Sequence, residues 1–376
     1  MTAQEAFTPQ DAVYMARALR LARRGLGATH PNPAVGCVIV KDGQVLGEGF
    51  HARAGEPHAE ALALEAAGAA AEGADVYVTL EPCAHTGRTP PCCDALIRAR
   101  VGRVVAAHVD PDPRTAGGGL ARLEANGVQV ASGLMAAEAR ALNRGFVQRL
   151  EAGRPFVTLK MAFSLDGRTA MASGESQWIT SEAARADGHR ARARHHAVLT
   201  SAQTVLDDHP RLTVRTGPPG TRQPERIVLD ARGRVPADAQ VFNDDGVACW
   251  WLVGATATVS APSHVRVCPV AMAGTQLDLA AGLRLLAEAG INDVLVESGP
   301  RLAGALLQAD LVDELLCYVA PSLLGDDARP LARLPGLEHL AQRRALEWRD
   351  VAMVGQDLRI VAGLQRSPTG AALDKE

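Results

Sequence analysis

Three metal-ligating side chains and one carboxylate fall within 35 positions of this 376-residue chain: His58, Glu60, Cys83 and Cys92. Using them together requires a fold that brings three separated segments to one point. Zinc takes His nitrogen and Cys thiolate, and a catalytic site keeps three protein ligands and one open position. Water at such an ion loses its proton near neutrality, without a strong base. Zinc deaminases use a His/Cys/Cys set beside a non-ligand Glu, under the signature H-x-E…P-C-x-x-C. His58 and Glu60 supply the H-x-E, and Pro82-Cys83 supplies the P-C. The second thiolate departs from the signature. Position 86 is Thr, and Cys92 and Cys93 come only after the eight residues Ala84 to Pro91. A deaminase of an amino-heterocycle built on this set needs a longer ligand loop.

Two plainer readings compete. A structural zinc would take a fourth protein ligand, for which His85 and Cys93 are available. Cysteines without a metal are ordinarily small buried hydrophobes. Local structure favours catalysis. His58-Ala-Glu-Ala-Leu-Ala-Leu is a good helix former with Pro57 just before it. Val76 to Leu80 is a β-rich run ending at Glu81-Pro82-Cys83, and Pro91 opens a second helix at Cys92. The ligands thus fall at helix N-termini or a strand end, where negative charge is favoured.

Bulk properties exclude several classes. The length predicts two domains, or at most three. A chain 47% hydrophobic and 22% charged can bury a core. A net charge of −3 leaves no electrostatic footprint for nucleic acid or an anionic membrane. No apolar run approaches the ~18 residues of a membrane span. The first residues lack the basic and apolar regions of a secretory signal. Seven cysteines, three of them near the histidine, predict metal and free thiols in a reducing cytoplasm.

Apolar periodicity predicts a helix over 10–25 and a hairpin over 34–50 turning at Lys41-Asp42-Gly43. Then come the His58 helix, strand 75–80, helix 91–100, strand 103–109, helix 118–126, strand 128–130 and helix 135–150. This alternation implies a layered α/β unit with parallel pairs. A Gly/Pro break at 151–155 starts a second alternation, with strands at 156–162, 197–199, 226–229, 249–253, 293–297 and 314–318. Its helices fall near 181–194, 277–289 and 300–309. Residues 216–224 read as a Pro/Gly-rich loop.

The two halves together resemble one family, the bifunctional riboflavin-biosynthesis deaminase/reductases. The resemblance rests on Thr29-His-Pro-Asn-Pro-Ala-Val-Gly-Cys-Val-Ile-Val40, Gly55-Glu-Pro-His-Ala-Glu60 and Thr79 through Cys92 in the first half. In the second it rests on Ser164-Leu-Asp-Gly-Arg-Thr-Ala170, Ser173-Gly-Glu-Ser-Gln-Trp-Ile-Thr180 and Val296-Glu-Ser-Gly-Pro-Arg-Leu-Ala-Gly304. The long Cys83-to-Cys92 loop is the family's own version of the signature. The resemblance implies a cytidine-deaminase-like three-layer α/β domain over 1–153. It also implies a dihydrofolate-reductase-like α/β domain over 154–364. Read from its composition alone, 365–376 is a disordered tail.

Two reactions are implied. One is zinc-dependent hydrolysis of the ring amine of 2,5-diamino-6-(5-phosphoribosylamino)pyrimidin-4(3H)-one. The other is NADPH-dependent reduction of the product's ribosyl unit to ribityl. By the same resemblance His58, Cys83 and Cys92 hold zinc, Glu60 shuttles protons, and Asn32, His51 and His85 contact the pyrimidine. Ala162, Trp178, Thr200, Thr204, Asp208 and the turn Gly299, Pro300, Arg301, Leu302, Ala303, Gly304 take the cofactor. Lys160, Ser176, Arg192, Leu212, Arg215 and Glu297 take the substrate; an Arg fork suits its phosphate. Taken without the resemblance, 185–194 is an Arg-rich helix with a solvated face, and 299–304 is an ordinary strand-to-helix turn. One departure stands out: the family's Asp-Asp-Pro reads Asp208-His209-Pro210 here. There is no G-x-G-x-x-G after a strand, so the dinucleotide site is not of the Rossmann type. The implied partners are a small phosphoribosyl-pyrimidine and further copies of the chain, with no nucleic acid and no membrane. A deaminase of nucleic-acid bases and a non-catalytic zinc scaffold are the alternatives; the acidic balance argues against the first.

Overall fold

The computed structural model describes residues 7–84, 90–113, 115–217 and 221–365. The chain divides into two compact units, Met1–Gly153 and Arg154–Glu376. The first runs α1 (Pro9–Ala22), β1 (Gly36–Lys41), β2 (Gln44–Phe50), α2 (Ala59–Ala67), β3 (Asp75–Val78), α3 (Cys92–Arg98), β4 (Arg103–Ala106), α4 (Gly118–Ala125), β5 (Gln129–Ser132), α5 (Ala136–Leu142) and α6 (Arg144–Ala152). Its sheet has the order β2-β1-β3-β4-β5. The pairs β1/β2 and β1/β3 are antiparallel, and β3, β4 and β5 are parallel. The β1–β2 turn places Asp42 at φ 50° and Gly43 at φ 76°. Positive φ at both central residues matches the right-handed twist of a two-residue hairpin.

Side chains alternate across a strand, so this sheet has two buried faces. Cys37, Ile39, Val76, Val78 and Val104 pack with α2, α3 and α4. Val38, Val40, Tyr77 and Val105 pack against Tyr14, Met15, Ala18 and Leu19 of α1. The result is a three-layer sandwich. Helix α2 lies close on β2 because the strand offers no Cβ there. A Cβ on Gly47 would sit 2.1 Å from the Ala63 carbonyl, and one on Gly49 2.2 Å from that of Ala59. This approach fixes where α2 begins, and so fixes His58.

The helix expected over 135–150 is two helices, α5 and α6, and Asn143 supplies the reason. Its side-chain amide bonds the N–H and the C=O of Ala34 at 2.7 and 2.9 Å. A side chain committed to a distant backbone competes with continuation of its own helix.

The second unit runs β6 (Phe156–Ser164), β7 (Arg168–Ala170), α7 (Glu182–Arg194), β8 (Ala197–Ser201), α8 (Ala202–Asp208), β9 (Glu225–Asp230), β10 (Cys249–Gly254), β11 (Val265–Val270), β12 (Met272–Ala273), β13 (Gln276–Leu277), α9 (Leu279–Glu288), β14 (Asp293–Glu297), α10 (Pro300–Gln308), β15 (Glu314–Ala320), β16 (Arg329–Pro330), β17 (Leu346–Val354) and β18 (Asp357–Leu364). Nine strands form one sheet in the order β11-β10-β9-β8-β14-β6-β15-β18-β17. From β11 to β15 all pairs are parallel, and β18 and β17 add antiparallel. Val157, Leu199, Ile227, Leu252 and Val296 face α9 and α10. Val198, Val228, Trp251, Leu295 and Tyr318 face α7 and α8. Of the expected tail, only Gln365 lies within the described residues.

One buried polar network ties the first unit together. Thr8 and Asp11 form a capping box at the start of α1. Asp11 also accepts from Tyr77 Oη of β3 at 2.5 Å and from Arg103 Nη1 of β4 at 3.0 Å. Burial pushes its carboxyl up, but the bonds from Tyr77, Thr8 and Arg103 outweigh that and hold it at about 2. The folded value lies below the ordinary 3.8. This stabilisation is therefore complete above about pH 4 and is lost as the pH falls through about 2. Asp11→Asn should lower stability at pH 7 by about 2 kcal/mol. Urea melts across pH 2–7 should show the wild-type advantage shrinking toward the acid end.

Candidate active sites

Each zinc-type ligand is delivered by the end of an element. His58 is the N-cap residue of α2, and its side chain makes no capping bond. Cys83 follows β3, and Cys92 is the first residue of α3. His58 Nδ1 and the two Sγ atoms all lie within 4.8 Å of one another. His58 Nδ1 is 3.2 Å from Cys92 Sγ and 3.7 Å from Cys83 Sγ. A tetrahedral zinc with ordinary bond lengths would hold N and S about 3.5 Å apart. The donor set therefore fits zinc. Its charge points the same way. A hydrogen bond from the Cys92 thiol, outweighing burial, and contacts from His58 and the Cys92 N–H hold Cys83 down at about 4. That ionised neighbour in turn pushes Cys92 up. Both thiols can ionise together only with a cation between them.

Glu60, in the first turn of α2, is 4% exposed. Burial raises its pKa, and the negative Cys83 adds to the effect. A carboxyl raised in this way can hold a proton and release it. His51 Nε2 lies 3.3 Å from Asn32 Nδ2, and His51 Nδ1 lies 3.1 Å from the Pro57 carbonyl. The rings of His51 and His58 sit edge to face, 5.4 Å apart. Asn32, His51 and the ligand set are thus neighbours. His85 lies outside the described residues.

Sequence reasoning passed over Glu81. This residue is 3% exposed, and its carboxylate accepts four backbone N–H groups. They come from Asp110 and Gly117 at 3.0 and 2.9 Å, and from Gly119 and Leu120 at 2.8 and 3.1 Å. Gly119 approaches so closely that a Cβ would sit 1.9 Å from the Pro82 carbonyl. Glu81 thereby fastens the segment carrying Cys83 to the start of α4. Its place in the run Thr79 to Cys83 was the available signal.

The second unit holds a cavity of about 1730 Å³ at the C-terminal ends of its parallel strands. It is lined by Lys160, Ala162, Ser176, Trp178, Arg192, Thr204, Asp208, Leu212, Arg215 and Glu297, and by Gly299, Pro300, Arg301 and Leu302. Thr200, Ala303 and Gly304 do not line it. Thr200 is buried and donates to the Glu297 carbonyl at 2.7 Å. Ala303 is in the core, and Gly304 admits the Arg333 backbone, whose oxygen would be 1.9 Å from a Cβ. His209, the residue that departs from the family pattern, ends α8 in the left-handed region at φ 44°, where His is enriched among non-glycine residues.

Arg192 is committed. Its Nε and Nη2 bond Glu297 at 2.5 and 2.9 Å, and Nη1 donates to the Thr213 carbonyl at 2.9 Å. The fork expected to grip a phosphate grips a carboxylate in this structure. Lys160 Nζ is 3.8 Å from the same carboxylate. Burial pushes Glu297 up, but Arg192 and then Lys160 overcome this and hold it at about 2. Arg215 Nε and Nη2 reach His189 Nε2 at 3.3 and 3.2 Å. Burial, then Arg192 and Arg215, press His189 down to about 4, so it is neutral near pH 7. The Arg-rich pattern of α7 concealed His189. Arg185 stacks 4.6 Å over the Trp178 ring.

At α10 the geometry suits a diphosphate. Pro300, the first residue of α10, has no N–H, which leaves the Arg301 and Leu302 amides of the first turn without intrahelical acceptors. Ser298 Oγ beside them is buried without a partner among the described residues.

Comparisons with known proteins match both units. A model described as the cytidine and deoxycytidylate deaminase zinc-binding region matches residues 8–108, and one described as the RibD C-terminal domain matches 155–359. Riboflavin biosynthesis protein RibD of Escherichia coli (strain K12) is 52% identical, covering 93% of this chain and 98% of that protein. The RibD of Haemophilus influenzae is 44% identical, covering 94% and 97%. The chain belongs to the RibD family. A solved RibD of Acinetobacter baumannii, 43% identical, superposes with a TM-score of 0.88 over 95% of this chain and 99% of that one. A Thermotoga maritima structure described as a diaminohydroxyphosphoribosylaminopyrimidine deaminase/5-amino-6-(5-phosphoribosylamino)uracil reductase is 32% identical, with a TM-score of 0.84 and the same coverage. Like other RibD proteins, the chain is a bifunctional riboflavin-pathway deaminase and reductase.

Removing Glu81's four bonds should loosen the Cys83 loop. Glu81→Ala should release zinc to a chelator about 10–100-fold more readily and slow ammonia release. Reduction of deaminated substrate by the same chain should be unchanged.

Proposed function

We propose that the first unit deaminates 2,5-diamino-6-(5-phosphoribosylamino)pyrimidin-4(3H)-one and that the second reduces the product with NADPH to 5-amino-6-(5-phosphoribitylamino)uracil. The convergence of His58, Cys83 and Cys92 beside the buried Glu60 is the observation that carries this reading. His58, Cys83 and Cys92 would hold zinc, which when bound supplies a Lewis acid that makes water nucleophilic near neutrality. Glu60 takes a proton from the attacking water and delivers one to the ring amine as it leaves as ammonia. Burial suits it to both tasks, because a raised pKa brings the acid and base forms closer in energy. Asn32, oriented by His51, offers donor and acceptor atoms to the pyrimidine edge.

In the second unit Ser298 and the first turn of α10 would take the dinucleotide's diphosphate, and NADPH when bound supplies the hydride. Ring opening at the ribosyl carbon leaves an oxygen that needs a proton. Lys160, held against Glu297, brings an N–H donor to that end of the cavity. Arg215, steadied by neutral His189, offers the substrate phosphate a cation.

The reading extends to setting. Free cysteines at all seven positions suit a reducing cytoplasm, and a net charge of −3 suits a small-molecule enzyme without nucleic acid. No helix among the described residues is long and apolar enough to cross a membrane. Edge strand β17 exposes Leu346, Trp348, Val351 and Met353, a surface suited to pairing with a second copy.

A coupled assay tests the assignment, with ammonia release followed by NADPH oxidation. Glu60→Gln should retain zinc and lower ammonia release by at least 10²-fold, while reducing supplied deaminated substrate normally. Normal deamination by this variant would remove Glu60 from proton transfer.

A further inference from the structure

We propose that Asp357 is a positioning residue for the reduction: from the start of β18 it holds the start of α7, and through it the part of the cavity wall that carries Trp178. The proposal rests on reading that cavity as the site of reduction.

One stretch of chain builds this wall. Trp178, Thr180, Arg185, His189 and Arg192 all line the cavity, and the last three stand on α7. A helix moves as a unit, so the wall is placed by whatever fastens α7. In its last turn Arg192 bonds Glu297 and the Thr213 carbonyl. At its middle Asp187 accepts from Tyr318 Oη at 2.8 Å and from Arg359 Nη1 of β18 at 3.3 Å. The start needs a hold of its own. Residues 171–181, between β7 and α7, form neither helix nor strand, and Trp178 among them is exposed.

Asp357 supplies that hold. Ser181 is the N-cap residue of α7, and its Oγ accepts from Ala184 N at 3.4 Å. The same serine donates its backbone N–H to Asp357 Oδ2 at 2.7 Å and its hydroxyl at 2.5 Å. Capping needs only the serine oxygen. The carboxylate adds a fixed point outside the helix and sets a negative group at its positive end. The hold then passes to the ring. The Thr180 carbonyl, next to Ser181, accepts from Arg185 Nη1 at 2.7 Å, and the Arg185 guanidinium stacks on Trp178. Asp357 itself does not line the cavity; it acts through Ser181, Thr180 and Arg185.

The turn before Asp357 is shaped for this contact. Gly355 and Gln356 join β17 to β18, with Gly355 at φ 64°. A Cβ on Gly355 would lie 2.8 Å from Ala183 Cβ and 3.2 Å from Ser181 Oγ. A side chain there would push the turn off the first turn of α7. Asp357 is fully buried, and its Oδ1 has no partner among the described residues. A buried carboxylate satisfied at one oxygen is a poor stabiliser of a hairpin, so its contribution lies in what the other oxygen holds.

The test follows full-length protein by nicotinamide fluorescence for NADPH binding and by steady-state reduction of deaminated substrate. Asp357→Ala should lower kcat/KM for reduction about 10- to 100-fold, the scale of a small misplacement far from the chemistry. It should also weaken NADPH binding and leave ammonia release unchanged. Ser181→Ala should show part of the loss, and Ser181→Thr, which keeps the capping hydroxyl, should restore it. A double-mutant cycle separates positioning from plain stability. In a Trp178→Ala background, Asp357→Ala should change NADPH binding by no more than about twofold, because the ring it places is gone. Effects that multiply would overturn the proposal by making Asp357 a general stabiliser of the unit. Normal reduction by Asp357→Ala would overturn it directly. If that variant does not fold, the serine variants decide, and reduction by Ser181→Ala equal to wild type would overturn the proposal. Wild-type protein that binds no NADPH would overturn the cofactor reading of the cavity, and the proposal with it.

Discussion

Two thiols facing one imidazole cannot both ionise without a cation, and the first unit is arranged around that requirement. His58, Cys83 and Cys92 come from a helix cap, a strand exit and a helix start, so none of them depends on the rotamer of an element interior. Their convergence depends on backbone placement. Gly47 and Gly49 let α2 lie on β2, and Glu81 binds four amides to hold the Cys83 segment against α4. A metal site needs its ligands positioned before the ion arrives, and outer partners of this kind provide that.

The second unit solves a different electrostatic problem. A site for two phosphorylated ligands must be cationic, yet cations crowded in a cavity repel one another. Glu297 answers this by holding Arg192 and Lys160 while remaining ionised. Pairing also fixes Arg192, since a half-buried guanidinium bonded at three nitrogens has little freedom. Beside it His189 stays neutral, because burial and then a third positive charge beside two arginines disfavour its protonated form. Glu297 thus holds Arg192 at the cavity wall, while Arg215 lines the same cavity beside neutral His189.

Residues whose chemistry is local were legible in the sequence. The metal set, the strand cores and the capped helices all announce themselves through residue type and period. What escaped depends on long-range pairing. Strand β17 is exposed along nearly its whole length and so shows no period-two burial. Strand β11 contains Pro269, which argues against a strand until the sheet order shows it at an edge. The break at Asn143 follows from bonds to a residue 109 positions away. Glu81 was passed over because its four partners lie 29 to 39 residues further on. Arg192 illustrates the converse: its residue type suggested a phosphate, and the fold also gives it a carboxylate partner, Glu297, that the sequence did not reveal.

The departure from C-x-x-C has a physical explanation. Widening the gap between two ligands from two residues to eight costs only about 1 kcal/mol of closure entropy. Forming a zinc site is worth on the order of 10 kcal/mol. Ligand spacing is therefore a weak constraint, provided both ends of the gap are held independently. Here they are. Cys83 is held through Glu81 and the exit of β3, while Cys92 begins α3 and donates its N–H to Cys83 Sγ at 3.3 Å. Cys93 N–H reaches the Cys83 carbonyl at the same distance.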